Sequence, residues 1–334
     1  MAAAVSPNLS QCLKVGECLT HFKFRGWFYE REFLNFEAPL ETRLRTYFYS
    51  VAICHQTQKL YNKKLKLWGW EYIEHTFTQL GKNNSPFLQR GIIASLPFND
   101  LCNRLASMFS DDFSPLNTTL DRVAERASFL AETDYILESQ FKGSIHYIIK
   151  HSKQRLFADG IGLYELLGTF KAYSDPMRKK STFLLKLIQD AGLLKVKDPE
   201  NFIPIMDYHM QRVMLRTGCV EVNDHKLASK LRNRQPVDSD AKVRMACIEA
   251  FRIIASVSGK PIVELNDFFW SLGRSCCNKE LFCQTGHCEK DPCTFARMVN
   301  HDPHDNCSLA DVCLGMEQES YRQMWQPVVE THYY

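Results

Sequence analysis

The sequence predicts a nearly all-α protein. Apolar residues recur at helical spacing in successive stretches along almost the whole chain. The breaks between those stretches carry turn formers: Asn83 to Pro86, Asp111 to Pro115, and Asp159-Gly160. Strand-like alternation is scarce, and no internal repeat or low-complexity tract interrupts the pattern.

Taken in order, residues 1–40 are mixed, with an aromatic patch of Phe22, Phe24, Trp27, Phe28, Tyr29, Phe33 and Phe36 that is expected to pack as core against the cysteine-rich end of the chain. Pro39 precedes a helical pattern over about 41–60, followed by a basic segment, Lys59 to Lys66, and the pair Trp68 and Trp70. Further helices are expected over about 71–81, 98–110, 118–134, 140–156, 160–171, 176–190, 208–217, 240–258 and 263–272. From 142 to 190 nine Lys or Arg face four acids, a modest excess that suits either a nucleic-acid backbone or a single nucleotide phosphate.

The composition sets bounds. A chain of 334 residues, 45% hydrophobic and 24% charged, is that of a soluble globular protein with one large core or two moderate ones. A net charge of +3 neither demands nor excludes a polyanion. The apolar runs are too short to span a membrane, and the N-terminus lacks the basic start and apolar stretch of a secretory signal. Thirteen cysteines without such a signal favour an intracellular, reducing compartment and a metal site over a disulfide framework.

Five of those cysteines fall in GRSCCNKELFCQTGHCEKDPC, residues 273–293. Counted from Cys277, the spacing is C-x5-C-x4-C-x4-C, through Cys283, Cys288 and Cys293. Counted from Cys276, the first gap becomes x6, and the choice between the two stays open. Four thiolates this close can surround an iron–sulfur cluster or a tetrahedral zinc, and the local sequence does not choose. Cys307 and Cys313, in CSLADVC, read as two further thiols on a C-terminal helix. A second stretch, IPIMDYHMQRVMLRTG at 203–218, places Asp207 directly before an amphipathic helix that stops at Gly218. Such an aspartate serves as an N-cap, or faces a cleft where a carboxylate can steer water or stabilise a cationic sugar.

Four segments, in order, resemble the helix–hairpin–helix DNA glycosylase superfamily, nearest its endonuclease III type. DYHMQRV at 207–213 is similar to that family's D-T-H-x-x-R-V run, VAICHQT at 51–57 to its LLSQQT helix end, RKKSTFLL at 178–185 to its R-K-T-A-x-x-V-L run, and FFWSLGRSCC at 268–277 to the H-G-R-x-x-C lead into its four-cysteine loop. The resemblance implies a two-lobed, all-α, DNA-glycosylase-like fold with a C-terminal iron–sulfur cluster loop. One lobe would be a helical barrel over 45–195, the other residues 1–44 with 200–334. It implies Asp207 and Lys180 as catalytic residues, with Gln56, Thr57 and His209 against substrate. It also implies Cys277, Cys283, Cys288 and Cys293 around a [4Fe–4S] cluster, with zinc as the alternative. The expected activity is release of a base from damaged or modified DNA by a monomeric enzyme, with water or Lys180 as nucleophile.

There are departures. The family's glycine-rich hairpin is replaced by FKAYSDPMRKK at 170–180, which has no glycine to let backbone amides approach a phosphate. The same middle region, with Asp207-Tyr208 opening a helix, also resembles queuosine salvage hydrolases, which implies a modified nucleotide as the alternative substrate. A nucleic-acid-binding module without chemistry is the non-enzymatic alternative. Judged as residues alone, Lys180 in the run Arg178-Lys179-Lys180 belongs on a solvated face, and His55 and His209 are ordinary structural histidines.

Overall fold

The computed structural model describes residues 3–25, 29–288, 290, 293–299 and 306–334. It is mostly helical with few short strands, so the all-α class holds. Among the described residues no helix is long and apolar enough to cross a membrane. The chain divides into two compact units: residues 29–202 with 331–334, and residues 1–28 with 203–330.

The first unit is built around the Leu40–Ala52 helix, in which every residue from Leu44 to Ala52 is buried. A helix wrapped on all sides must satisfy its polar groups internally. Arg45 donates to the carbonyls of Leu88 (3.1 Å) and Gly143 (2.6 Å), Tyr47 to that of Phe33 (2.9 Å), and Tyr49 to Asp134 Oδ1 (2.7 Å). Tyr173 stacks on Phe48, ring centroids 5.1 Å apart, and donates its hydroxyl to the Phe48 carbonyl. The Trp70–Lys82, Val123–Phe141 and Lys179–Asp190 helices pack around this core. The helix expected over 41–60 stops at Ala52 because Cys54 to Thr57 form a turn in which Gln56 takes a positive φ of 42°.

The aromatic patch divides between the units. Phe33 sets its ring edge-on to Tyr47 (5.0 Å) and Trp70 (5.6 Å), and Phe36 lies against Tyr47, which binds residues 29–44 into the first unit rather than the second. Phe22 instead packs edge-on to Phe268 at 5.0 Å in the second unit. Trp27 and Phe28 lie outside the described residues.

The second unit contains a helix the mixed N-terminal composition conceals, Leu9–Leu19, capped by Asn8 and laid along the Ala241–Ser258 helix. Val5–Pro7 pairs antiparallel with Val220–Val222, which ties residue 5 to residue 222. Tyr208–Thr217 and Ile262–Ser271 pack against each other and against Ala241–Ser258. The first ends, as its sequence foretells, at Gly218, whose φ of +79° admits glycine at little cost.

Candidate functional site

In the second unit the Ile262–Ser271 helix runs on into a π-helical turn, Leu272–Cys276, of the kind often found at functional sites. Gly273 of this turn lies so close to the neighbouring helix that an added Cβ would meet the His209 carbonyl oxygen at 2.6 Å. Gly273→Ala is therefore expected to lose about 1–3 kcal/mol of stability, read from the denaturant midpoint. An unchanged midpoint would show that the two backbones part freely.

Cys276 ends the turn and is buried. Its Sγ lies 3.5 Å from that of Cys288 and 3.7 Å from that of Cys293, and the three sulfurs all fall within 4.8 Å of one another. They could hold a metal: thiolate bonds of about 2.3 Å to one tetrahedral ion put the sulfurs roughly 3.8 Å apart. Hydrogen bonds among the thiols, and then burial, push the Cys276 thiol far up, so metal binding would have to displace its proton. The register from Cys277 is not the one that gathers here. Neighbours on a helical turn point about 100° apart, and the Cys277 sulfur goes instead to Arg216, whose Nη1 donates to it at 3.5 Å. Cys283, on the short helix Phe282–Thr285, is also outside the trio.

The Tyr208–Thr217 helix drives two arginines into this cysteine segment. Arg212, 1% exposed, donates to the carbonyls of Cys277 (2.9 Å) and Gly273 (2.6 Å), to Asn278 Oδ1 (3.0 Å), Gln326 Oε1 (2.6 Å) and His209 Nδ1 (3.0 Å). Arg216 donates to the carbonyls of Cys277 (3.1 Å), Asn278 (2.8 Å) and Met324 (2.9 Å). Both guanidiniums lie over the Trp325 ring, at 4.6 and 5.2 Å. Burial, then Arg216, lowers Arg212 to about 10, which leaves it charged at neutral pH. Half-buried His209 is pushed well down by desolvation and then by Arg212 and Arg274, so it stays neutral and accepts from Arg212. Asp207 is the N-cap: its Oδ1 accepts from the Met210 amide at 3.0 Å, and the residue is 6% exposed.

At the far end of the same helix, Arg216 lines a cleft of about 310 Å³ with Arg232, Arg234, Lys279 and Arg322. Five cationic side chains around one opening, with Glu319 also at its wall, make an anion-favouring surface.

The first unit holds Lys180, Gln56 and Thr57. Lys180 is 0% exposed and donates Nζ to the Ala52 carbonyl at 2.7 Å and to His55 Nδ1 at 3.2 Å. Ala52 ends its helix, so the lysine satisfies a carbonyl that the helix leaves unpaired. Burial lowers the ammonium to about 7. With Nδ1 accepting, the His55 proton sits on Nε2 and goes to Glu125 Oε1 at 2.9 Å. Burial, then Lys180, drives the His55 pKa far down, so the ring is neutral. Gln56 Oε1 accepts from Arg122 Nη2 (3.1 Å) and the Thr331 amide (3.4 Å), and the Gln56 backbone N–H donates to the Tyr334 carbonyl (3.0 Å). Thr57 is buried, and its carbonyl accepts from the Leu60 amide at 3.1 Å in the turn after the helix.

Each unit thus assembles part of the expected set: Lys180 with the 54–57 turn in one, Asp207 and His209 with the cysteine segment in the other. Nothing in the sequence signals Glu125, and Arg212 and Arg216 of the DYHMQRV stretch and its continuation carry a structural duty that the motif alone does not show. The cleft residues Arg232 and Arg234 were legible only as a basic pair in KLRNRQ. A comparison with protein-family models and a comparison with curated proteins each found no match to this chain.

Proposed function

We propose that the protein cleaves N-glycosidic bonds in a nucleic-acid strand, most directly base release from damaged or modified DNA, with Asp207 as the catalytic carboxylate. The observation that supports a strand over a free nucleotide is the single helix with Asp207 at its start and the cationic cleft at its end. Nine residues of helix separate Asp207 from Arg216, about 14 Å. That is about four nucleotide rises along a strand, so a cleft-bound phosphate and a sugar at Asp207 belong to different nucleotides. The base would be extruded from the stack. Asp207 would then stabilise the positive charge that develops on the sugar and position the attacking water. Lys180 is left out of the chemistry: it is fully buried, and its ammonium is committed to Ala52 and His55.

For the trio of Cys276, Cys288 and Cys293 we propose one tetrahedral ion, zinc, as a structural group. The short sulfur separations favour it over a [4Fe–4S] cubane, in which each thiolate binds its own iron at a separate corner. The ion would hold the segment onto which Arg212 and Arg216 close.

Asp207→Asn separates capping from catalysis, because asparagine caps a helix as well as aspartate does. The variant is expected to keep its stability within a few tenths of a kcal/mol while base release falls about 100-fold or more. The assay is release of free base from a panel of lesion-bearing duplexes, with the corresponding mononucleotides run alongside. Wild-type protein that releases no base from any duplex, or an Asp207→Asn rate equal to wild type, would sink the reading. Release from the mononucleotide alone would replace the strand with a nucleotide.

A further inference from the structure

Two exposed loops of the first unit meet side by side. One is the tip of a hairpin, in which Tyr61–Asn62 pairs with Leu67–Trp68 and the chain turns through Lys63, Lys64, Leu65 and Lys66, all exposed. The other runs over residues 111–118 and is fastened to the hairpin. The Asp111 carboxylate accepts from the Lys63 amide (3.1 Å), and the Asp111 carbonyl accepts from Lys64 Nζ (2.7 Å). Thr119 Oγ1 accepts from the Tyr61 amide (3.1 Å) and donates to the Tyr61 carbonyl (2.7 Å). Within the second loop Asp112 accepts from the Ser114 amide (3.0 Å) and from Asn117 Nδ2 (2.7 Å), which holds the tip in shape.

The apolar residues of both loops face water. Leu116 is 93% exposed, Phe113 80% and Leu65 48%. Trp68, 39% exposed, stacks on Tyr61 at 4.7 Å. Phe113 adds no packing to the fold and strains it: its φ of 61° is a left-handed backbone that a bulky side chain disfavours. Lysines surround these tips. Lys59, Lys63, Lys64 and Lys66 are exposed, and among the described residues none of them pairs with a carboxylate. The acids of the two loops are Asp111 and Asp112, both already accepting hydrogen bonds. We propose that this face docks on an anionic lipid bilayer, with Phe113, Leu116 and Leu65 entering the acyl boundary and the lysines among the headgroup phosphates.

Charge complementarity and the layout of the tips favour that occupant. Lysines close to a membrane surface are drawn to its anionic lipids, and their apolar stems lie along the boundary while the ammonium stays among the headgroups. Trp68 and Tyr61 are of the residue types that settle at headgroup level. Protein interfaces exclude lysine from their packed centres, whereas here lysines alternate with the apolar tips. A duplex takes apolar wedges between its base steps, whereas these three stand on two separate loops. A fluid bilayer admits all of them together, and its hold grows with the apolar area inserted.

The test is co-sedimentation of the full chain with vesicles of phosphatidylcholine alone and of phosphatidylcholine with phosphatidylserine, at low and high salt. Wild type is expected to bind the anionic vesicles about tenfold or more tighter than the neutral ones, and to lose that margin as salt rises. Phe113→Gly with Leu116→Ser should weaken binding about tenfold or more. The same variant should keep the wild-type urea midpoint, because glycine accepts the left-handed φ and neither side chain is buried. Lys63→Gln with Lys64→Gln and Lys66→Gln should bring binding to the anionic vesicles down to the neutral level. The proposal is overturned if wild type binds neither vesicle, if it binds both equally, or if the Phe113 and Leu116 changes leave binding untouched. It is also overturned if the patch serves another macromolecule: wild type then ignores vesicles, and the same changes dissociate a dimer of the chain or lower its affinity for duplex DNA.

Discussion

Raising the pH from 7 to 10 is expected to stabilise the wild-type protein relative to Lys180→Met by about 1.4 kcal/mol per pH unit. The reason is the fully buried Lys180 ammonium, held near 7 in the folded chain against an ordinary value of 10.5. Below pH 7 the amine is protonated in both states, and the folded protein bears the whole cost of an ion out of water. Between 7 and 10.5 the unfolded chain binds the proton and the folded chain does not, so stability rises with pH across that window. The difference of about 3.5 units corresponds to roughly 4–5 kcal/mol in total. Methionine approximates the volume without titrating, so subtracting its curve removes the contributions of cysteines and tyrosines that ionise in the same range. Urea unfolding of both proteins at pH 6, 7, 8 and 9 reads the effect. Parallel curves would mean that Lys180 is solvated and charged throughout.

The second large effect is expected at Arg212. Replacing it with leucine should cost about 3–5 kcal/mol, because acceptors on Gly273, Asn278, Gln326 and His209 lose the donor that this buried guanidinium supplies, and the Cys277 carbonyl is left to Arg216. Arg212→Lys should recover little: an ammonium on a flexible stem cannot reproduce the planar fork that reaches all five. The loss would appear in the unfolding midpoint, and metal retention would fall with it, since Cys276 ends the turn that the arginine holds. A Leu variant as stable as wild type would show that the cysteine segment is held without this guanidinium.

The legible part of the molecule was the part governed by local chemistry. Helical periodicity located Tyr208–Thr217 and Ala241–Ser258 closely, and the aspartate before the first and the glycine after it fixed its ends. Asp207 was readable as a cap because capping is a property of three or four consecutive residues. Lys180 was not readable as buried. Its run of basic residues looks solvated, and what draws it inside is a carbonyl 128 residues earlier. The cysteines show the same limit. Spacing counts residues along the chain, whereas ligation depends on direction: Cys276 and Cys277 are adjacent, yet Cys276 brings its sulfur into the trio while that of Cys277 goes to Arg216. Leu9–Leu19 escaped because its stabilisation comes from docking on Ala241–Ser258, more than 200 residues away, rather than from a strong pattern of its own.

The partnership of Gln56 with residues 331–334 bears on the order in which the protein is made. The Thr331 amide reaches Gln56 Oε1 across 275 residues, and His332 sets its ring 5.1 Å from Phe129. A ribosome delivers those partners only after residues 57–330 have emerged. The first unit can gather its helices early but must hold the Gln56 turn incomplete until synthesis has passed through the whole second unit. Such a contact adds nothing to the speed of early collapse and raises the mean sequence separation of the native contacts, a mark of slow folding. A nascent chain stalled before residue 331 should therefore be compact in its helical core and still loose around the 54–57 turn, a state that proteolysis of stalled chains would detect.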